Sequence, residues 1–247
     1  MSGNENITRA EAQERSQLIE SRTYDVLLDL TTGPTTFATM TTVTFGCRTP
    51  GSSTWIDLIA LTVTSVFLNG VAQVVADCCE GSRIALSDLL ADNTLVVEAV
   101  GAYMNTGEGL HRFVDPVDDE VYLYTQFESA DARRMYACFE QPDLKATFAL
   151  TVTAPDHWKV VSNAPTPAPE PVTAGVARWA FEPTPRMSSY ITALVAGPYH
   201  EVRDEYVGPY GTYPMGVFCR ESLAQYLDAD DIFELTKQGF AFFEEQF

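Results

Sequence analysis

Positive charge is scarce in this chain. Lys and Arg together number 15 against 34 for Asp and Glu, a formal net charge of −19 at pH 7. That balance repels phosphate backbones and anionic lipid, which excludes nucleic acid and membrane surfaces as partners. Histidine is equally sparse, with three residues, His111, His157 and His200, far apart in the sequence. The five cysteines, Cys47, Cys78, Cys79, Cys138 and Cys219, are odd in number and contain no Cys-x-x-Cys pair. They read as reduced thiols rather than a disulfide frame or a zinc ribbon. No basic segment followed by an apolar run stands near the start, so no signal peptide is visible. The apolar stretch Leu58–Leu68 ends at Asn69-Gly70, well short of the about 20 residues that a bilayer span needs. Together these absences lead to the expectation of a cytoplasmic protein. There is no Gly-x-Ser-x-Gly elbow and no P-loop, which removes two common catalytic templates.

What is present is a globular composition, 46% hydrophobic and 20% charged over 247 residues, enough for one large or two smaller domains. Thr8 and Glu11 form a capping box before good helix formers, which predicts a short helix over Ala10–Glu20. The period then changes to two. Tyr24, Val26, Leu28 and Leu30 alternate with polar residues, the pattern of a strand with one buried face. Further strand-like runs fall at Thr39–Phe45, Thr54–Ile59, Thr62–Leu68, Thr94–Val100, Val121–Phe127, Ala146–Thr153, Lys159–Asn163, Val176–Phe181, Tyr190–Val195, His200–Val207 and Tyr213–Cys219. Asn69-Gly70 between two such runs is a strong hairpin signal. Prolines at 165, 167, 169 and 171 mark a loop. The whole reads as all-β, an antiparallel sandwich or saddle.

Two partial motifs fail on inspection. Gly107-Glu108-Gly109 begins like a dinucleotide loop, but Arg112 stands where the third glycine belongs, and the segment reads as a loop. His200-Glu201-Val202-Arg203-Asp204 begins like H-E-x-x-H, but its last position is Asp and its surroundings read as strand. A strand cannot bring those side chains to one metal.

A more specific pattern runs from Tyr122 through Thr125-Gln126-Phe127-Glu128-Ser129-Ala130-Asp131-Ala132-Arg133-Arg134 to Cys138-Phe139-Glu140-Gln141-Pro142-Asp143-Leu144-Lys145-Ala146-Thr147-Phe148. It resembles the N-terminal domain signature of the aminopeptidase N family of zinc metallopeptidases, the gluzincins. Thr184-Pro185-Arg186-Met187-Ser188-Ser189-Tyr190-Ile191 resembles a second family segment, and Gly107–Phe113 looks like the bacterial branch. The resemblance implies a β-saddle domain over residues 1–203, followed at 204–247 by the first strand and helix of a thermolysin-like catalytic domain. It also implies an enzyme that releases N-terminal residues from peptides bearing a free N-terminus, with zinc bound in the intact enzyme. The family's G-A-M-E-N and H-E-x-x-H segments lie downstream of that helix, so no zinc ligand and no catalytic residue is assigned in this chain. By the same resemblance, Glu128 helps hold the substrate's α-amino group and Gln126 lines the first side-chain pocket. Carboxylates hold ammonium ions by charge-assisted hydrogen bonds, and residues two apart on a strand share a face. Glu140-Gln141 departs from the family's Asp-Glu. Read without the resemblance, Glu128 is an ordinary solvated carboxylate, Cys138 is a small buried residue, and Arg133, Arg134 and Lys145 among Asp131, Glu140 and Asp143 could form surface ion pairs.

The tail turns helical from about Ser222, with Ile232, Leu235, Gly239, Phe240 and Phe243 near helical spacing and Phe233, Phe242 and Phe247 widening the apolar surface. So aromatic a helix needs a covering partner. The expectation is that a catalytic domain beyond the chain packs on the saddle and covers it. The other reading is a self-standing, non-catalytic β-sandwich that binds or scaffolds.

Overall fold

The computed structural model describes residues 6–247. Helix α1 (Arg9–Leu18) leads into β1 (Ile19–Asp29) and β2 (Thr36–Cys47), followed by β3 (Thr54–Asp57), β4 (Thr62–Leu68) and β5 (Val71–Ala72). The one-turn helix α2 (Val75–Cys78) precedes β6 (Cys79–Glu80), β7 (Arg83–Leu86), β8 (Asp92–Ala102), β9 (Gly109–Val114) and β10 (Val121–Gln126). Then come β11 (Thr147–Pro155), β12 (Lys159–Ser162), β13 (Glu170–Thr173), β14 (Val176–Ala180), β15 (Leu194–Gly197), β16 (His200–Gly208), β17 (Gly211–Cys219) and helix α3 (Ala229–Gln246). The fold is mostly β, as the alternating runs predict. The described residues divide into two compact units: residues up to 113 with 123–196, and residues 114–122 with 197–247.

In the first unit an eight-stranded sheet runs in the order β13-β14-β11-β1-β2-β8-β4-β5. Smaller sheets have the orders β3-β7-β6 and β12-β15-β10-β9. Helix α1 starts as its capping box predicts, with the Thr8 hydroxyl accepting from the Glu11 N–H and the Glu11 carboxylate accepting from the Thr8 N–H at 2.8 Å. The Asn69-Gly70 turn joins β4 to β5, and both residues have positive φ, 53° and 78°. That is the geometry of a type I′ hairpin, which glycine adopts without cost. One face of the large sheet is core. Tyr24, Val26 and Leu28 of β1, Phe37, Val43 and Phe45 of β2, and Phe148, Leu150 and Val152 of β11 are all buried. The pairing departs from an all-antiparallel sheet at one place, where β1 and β11 run parallel with Thr23 opposite Thr147. Tyr24 therefore lies opposite Phe148, and their rings stack at 4.8 Å.

The segment Met135–Gln141 crosses this core with almost no exposure. Its backbone is satisfied piecewise, as buried amides require. The Ala137 N–H donates to the Thr41 hydroxyl, the Phe139 N–H to the Tyr24 hydroxyl, and Cys138 exchanges two backbone bonds with Asp57. The expected surface ion pairs of this region are in part interior contacts. Arg133 and Glu140 are buried, and Glu140 accepts from the Arg133 N–H at 2.8 Å and from the Ser189 hydroxyl at 2.7 Å. Lys145 and Asp143 are exposed and make no ion pair among the described residues.

Within the second unit β16 and β17 form a hairpin with Tyr206 opposite Tyr213. Phe233 and Ala229 of α3 pack with Tyr206 and Met215, flanked by Val202, Val217 and Leu227. Lys237 pairs with Asp204 at 2.7 Å, and the Tyr206 hydroxyl donates to Glu244 at 2.6 Å. Asp115 is buried and accepts from Arg220, from Ser222 and from the Val117 N–H, contacts that hold its carboxyl below the usual range, the Ser222 bond foremost. Ile232, Leu235, Phe240, Phe242, Phe243 and Phe247 remain exposed. Phe233, grouped with them by sequence, is an inward-facing core residue.

Candidate functional site

Strand β10 positions the two residues singled out by the resemblance. It pairs with β15 through Leu123 opposite Ala196 and Tyr124 opposite Val195. Leu123 and Phe127 point into the core, and the Thr125 hydroxyl accepts from the Leu194 N–H at 2.9 Å. Alternation then places Tyr124 and Gln126 on the exposed side. The strand ends at Gln126, so Glu128 lies two residues beyond it, in a turn, where it continues the exposed row. The Glu128–Ser129 peptide is cis. The turn closes with the Asp131 N–H donating to the Phe127 carbonyl at 2.9 Å, and a short 3-10 turn, Ala132–Arg134, follows.

The residues around this row are polar and already paired. Arg134 reaches Asp131 through Nε at 2.6 Å and Glu108 through Nη2 at 3.3 Å. Arg133 Nε donates to the Ala130 carbonyl at 3.0 Å. Gly109, at φ 60°, lies against the Arg134 side chain, where an added Cβ would come within 2.8 Å of the Arg134 Cβ. His111 Nδ1 accepts from the Gly107 N–H at 3.0 Å, and its ring stacks on Tyr124 with centroids 4.7 Å apart. That bond leaves the proton of a neutral imidazole on Nε2. Glu128, by contrast, has no hydrogen-bond or ion-pair partner among the described residues. An exposed, unpaired carboxylate at a strand end can accept several hydrogen bonds from an ammonium group.

Nucleophilic and metal chemistry find no comparable setting among the described residues. The Cys138 thiol is fully buried, and burial, then Glu140 and Asp57, push it well above the ordinary thiol range; a thiol so protonated is inert. His200 and Glu201 sit on β16, opposite Cys219 and Phe218, as a strand reading of that partial motif predicts. No group of three or more His, Cys, Asp or Glu among the described residues could hold a metal ion. Of the ion pairs expected among Arg133, Arg134, Lys145, Asp131, Glu140 and Asp143, the structure forms Arg134 with Asp131. Sequence reasoning misses Glu108, Tyr124 and His111, because the segment from 107 reads as a loop while Gly109–Val114 is strand β9. No local signal marks this strand, because Leu110-His111-Arg112-Phe113 does not alternate apolar with polar residues and stands beside two glycines.

Residues 20–191 match the peptidase M1 N-terminal domain. The chain is similar to aminopeptidase N of Streptomyces lividans, 54% identical over 245 residues, covering 98% of this chain and 28% of that protein. It is 32% identical over 197 residues to aminopeptidase N of Acetobacter pasteurianus, covering 74% and 53% of the two chains. With aminopeptidase N of Bos taurus the identity is 29% over 188 residues, 67% of this chain and 20% of the relative. The chain thus spans about a quarter of the length of the first of these relatives and about half of the second. Because the domain match takes in the large sheet, the buried crossing segment and the Gln126–Glu128 row, the chain belongs to the peptidase M1 N-terminal domain family.

Proposed function

We propose that this chain is the N-terminal part of a zinc aminopeptidase and contributes the carboxylate of Glu128 to the site that holds the substrate's free α-amino group, with Gln126 beside the first side-chain pocket. The observation that carries the reading is the unpaired, exposed Glu128 next to arginines that are engaged elsewhere. The relatives' names, aminopeptidase N, support the same activity. Zinc follows from the family; the described residues offer no ligand set for it, so residues outside this chain would hold the ion and no step is assigned to it here. The domain division within the reading is a β-saddle over 1–203 and the opening of the catalytic domain over 204–247, whose continuation covers the exposed face of α3. The setting is cytoplasmic peptide breakdown; no helix among the described residues is long and apolar enough to cross a membrane.

The test is kcat/KM for Glu128→Gln in the full-length enzyme on a free-amine substrate. The substitution keeps the shape and removes the charge. A hydrogen bond between charged groups contributes about 1.5–3 kcal/mol, so kcat/KM falls about 10- to 200-fold. N-acetylated peptides, which lack the cation, are poor substrates. An unchanged kcat/KM returns Glu128 to the role of a solvated carboxylate.

A further inference from the structure

Arg134 is the point at which the Phe127–Asp131 turn, which carries Glu128, meets a second segment. Its Nε holds Asp131, the residue that closes the Phe127–Asp131 turn, and its Nη2 holds Glu108 in the segment before β9. The stem of the side chain is packed as well as its head. Gly109 lies so close that a Cβ there would meet the Arg134 Cβ at 2.8 Å and Cδ at 3.0 Å, and its φ of 60° is one that favours glycine. The Arg134 side chain is only 14% exposed, so its ion pairs are less screened than ordinary surface pairs. The segment it captures carries His111, which stacks on Tyr124, two residues before Gln126 on β10. The turn is thus tied back to its own strand through a second segment.

The consequence for Glu128 is twofold. The carboxylate stands past the last ladder pair of β10, so no strand hydrogen bonds fix its backbone. What orders the turn instead is the Asp131 N–H to Phe127 bond, the Arg133 bond to the Ala130 carbonyl, and the Arg134 bridge. In addition, the two carboxylates on Arg134 compensate its charge, which leaves Glu128 as the carboxylate free to meet a substrate cation. A group that must be aimed to within a fraction of an ångström needs such a supporting shell.

The geometry points to Arg134 as the positioning residue that holds the Glu128 turn against the 107–111 segment, so that it acts on substrate amino-group binding through Glu128 alone. This rests on the amino-group reading of Glu128 given above. Arg134 touches no substrate; its contribution is the placement of the carboxylate.

A double-mutant cycle in the full-length enzyme separates this role from a general structural one. Arg134→Gln lowers kcat/KM on a free-amine aminoacyl reporter by about 5- to 30-fold, the order of one charge-assisted contact. In a Glu128→Gln background the same substitution lowers it less than about twofold, because the carboxylate it positioned is already gone. Arg134→Lys, which keeps the charge but loses the fork, recovers part of the loss. Where Arg134→Gln does not yield folded enzyme, Asp131→Asn takes its place in the cycle and shows the same coupling. Equal losses in the two backgrounds overturn the positioning role and leave the reading of Glu128 standing. An unchanged rate for Glu128→Gln by itself overturns both.

Discussion

Arg15 of α1 and Asp57 of β3 form an ion pair at 2.8 Å in which the side chains are 0% and 4% exposed. The pair is the centre of a buried polar group. Arg15 Nε donates to Gln141 at 3.0 Å, Gln141 donates to the Ala12 carbonyl at 2.9 Å, and Asp57 accepts from the Glu140 N–H and from the Trp55 indole N–H. Arg15 Nη2 finds no hydrogen-bond acceptor among the described residues; the guanidinium lies over the rings of Trp55, at 4.9 Å, and Phe139, at 5.8 Å, where the ring quadrupole attracts it. Gln141, the departure from the family's acidic residue, thus accepts from one arginine and donates to a carbonyl, which an amide can do and an ionised carboxylate cannot.

Breaking this pair from one side leaves an uncompensated charge in the core. Asp57→Ala is expected to cost about 3–5 kcal/mol. Urea unfolding of the wild type and the variant, compared at constant m, measures it. A loss below about 1 kcal/mol, the scale of an exposed pair, would show that water reaches Arg15.

Glu140 gives the protein a pH dependence of unusual sign. Burial is the main reason its carboxyl is raised above 4.5, with Asp57 adding to it against the hydrogen bonds from Ser189 and Arg133. A carboxyl raised in the folded state binds its proton more tightly there than in the unfolded chain. Its contribution is therefore fully present below the unfolded value of 4.5 and is lost as pH rises through the folded value. Glu11 works the opposite way: the Arg83 hydrogen bond, then those from Thr8, lower it to about 2, so its contribution fades as pH falls from 4.5 toward that value. Glu140→Gln should flatten the stability profile on the rising side of pH 4.5 and leave the acid limb in place. Denaturation midpoints across pH 3–8 for both proteins test this, and an unchanged profile refutes it.

The helix α3 carries two kinds of phenylalanine. Phe233 is 4% exposed in the hairpin core, whereas Phe242 is 57% exposed. Phe233→Ala should destabilise its unit by about 3–5 kcal/mol. In these 247 residues alone, Phe242→Ser should stay within about 0.5 kcal/mol and lower any self-association, because it removes exposed apolar surface. Hydrogen exchange of β16 and β17 reads the first effect and sedimentation the second. Equal effects of the two substitutions would contradict this division of the helix.

Local structure was legible where one short segment decides it. The Thr8–Glu11 box and the Asn69-Gly70 turn are such cases, and so are the alternating strands β1, β2, β8 and β11. The run Tyr190–Val195 divides instead into a 3-10 turn, Ser189–Ile191, and β15, because the Thr192 and Ile191 N–H groups bond back to Ser189 and Ser188. Strand β13 lies inside the proline-rich loop, at the sheet edge, where Pro171 is tolerated. Arg15 could not be recognised as buried, since a helical arginine reads as solvated and its partners Asp57 and Gln141 come from distant segments. For the same reason Gln126 and Glu128 emerge from a local motif, while Glu108 on Arg134 is visible only once β9 and β10 are placed.

The parallel pairing of β1 with β11 sets a timetable for synthesis. β1 takes its first partner from β2, which follows it directly, but its other edge stays open until Thr147–Pro155 has left the ribosome. During that interval Tyr24, Val26 and Leu28 lack the rings and branched side chains that later cover them, and an incomplete strand edge is left without a partner. Pairing over so long a stretch of chain is slow to nucleate. Nascent chains that end before β11 should therefore be the ones most prone to associate through that open edge, and protection should coincide with the emergence of Pro155.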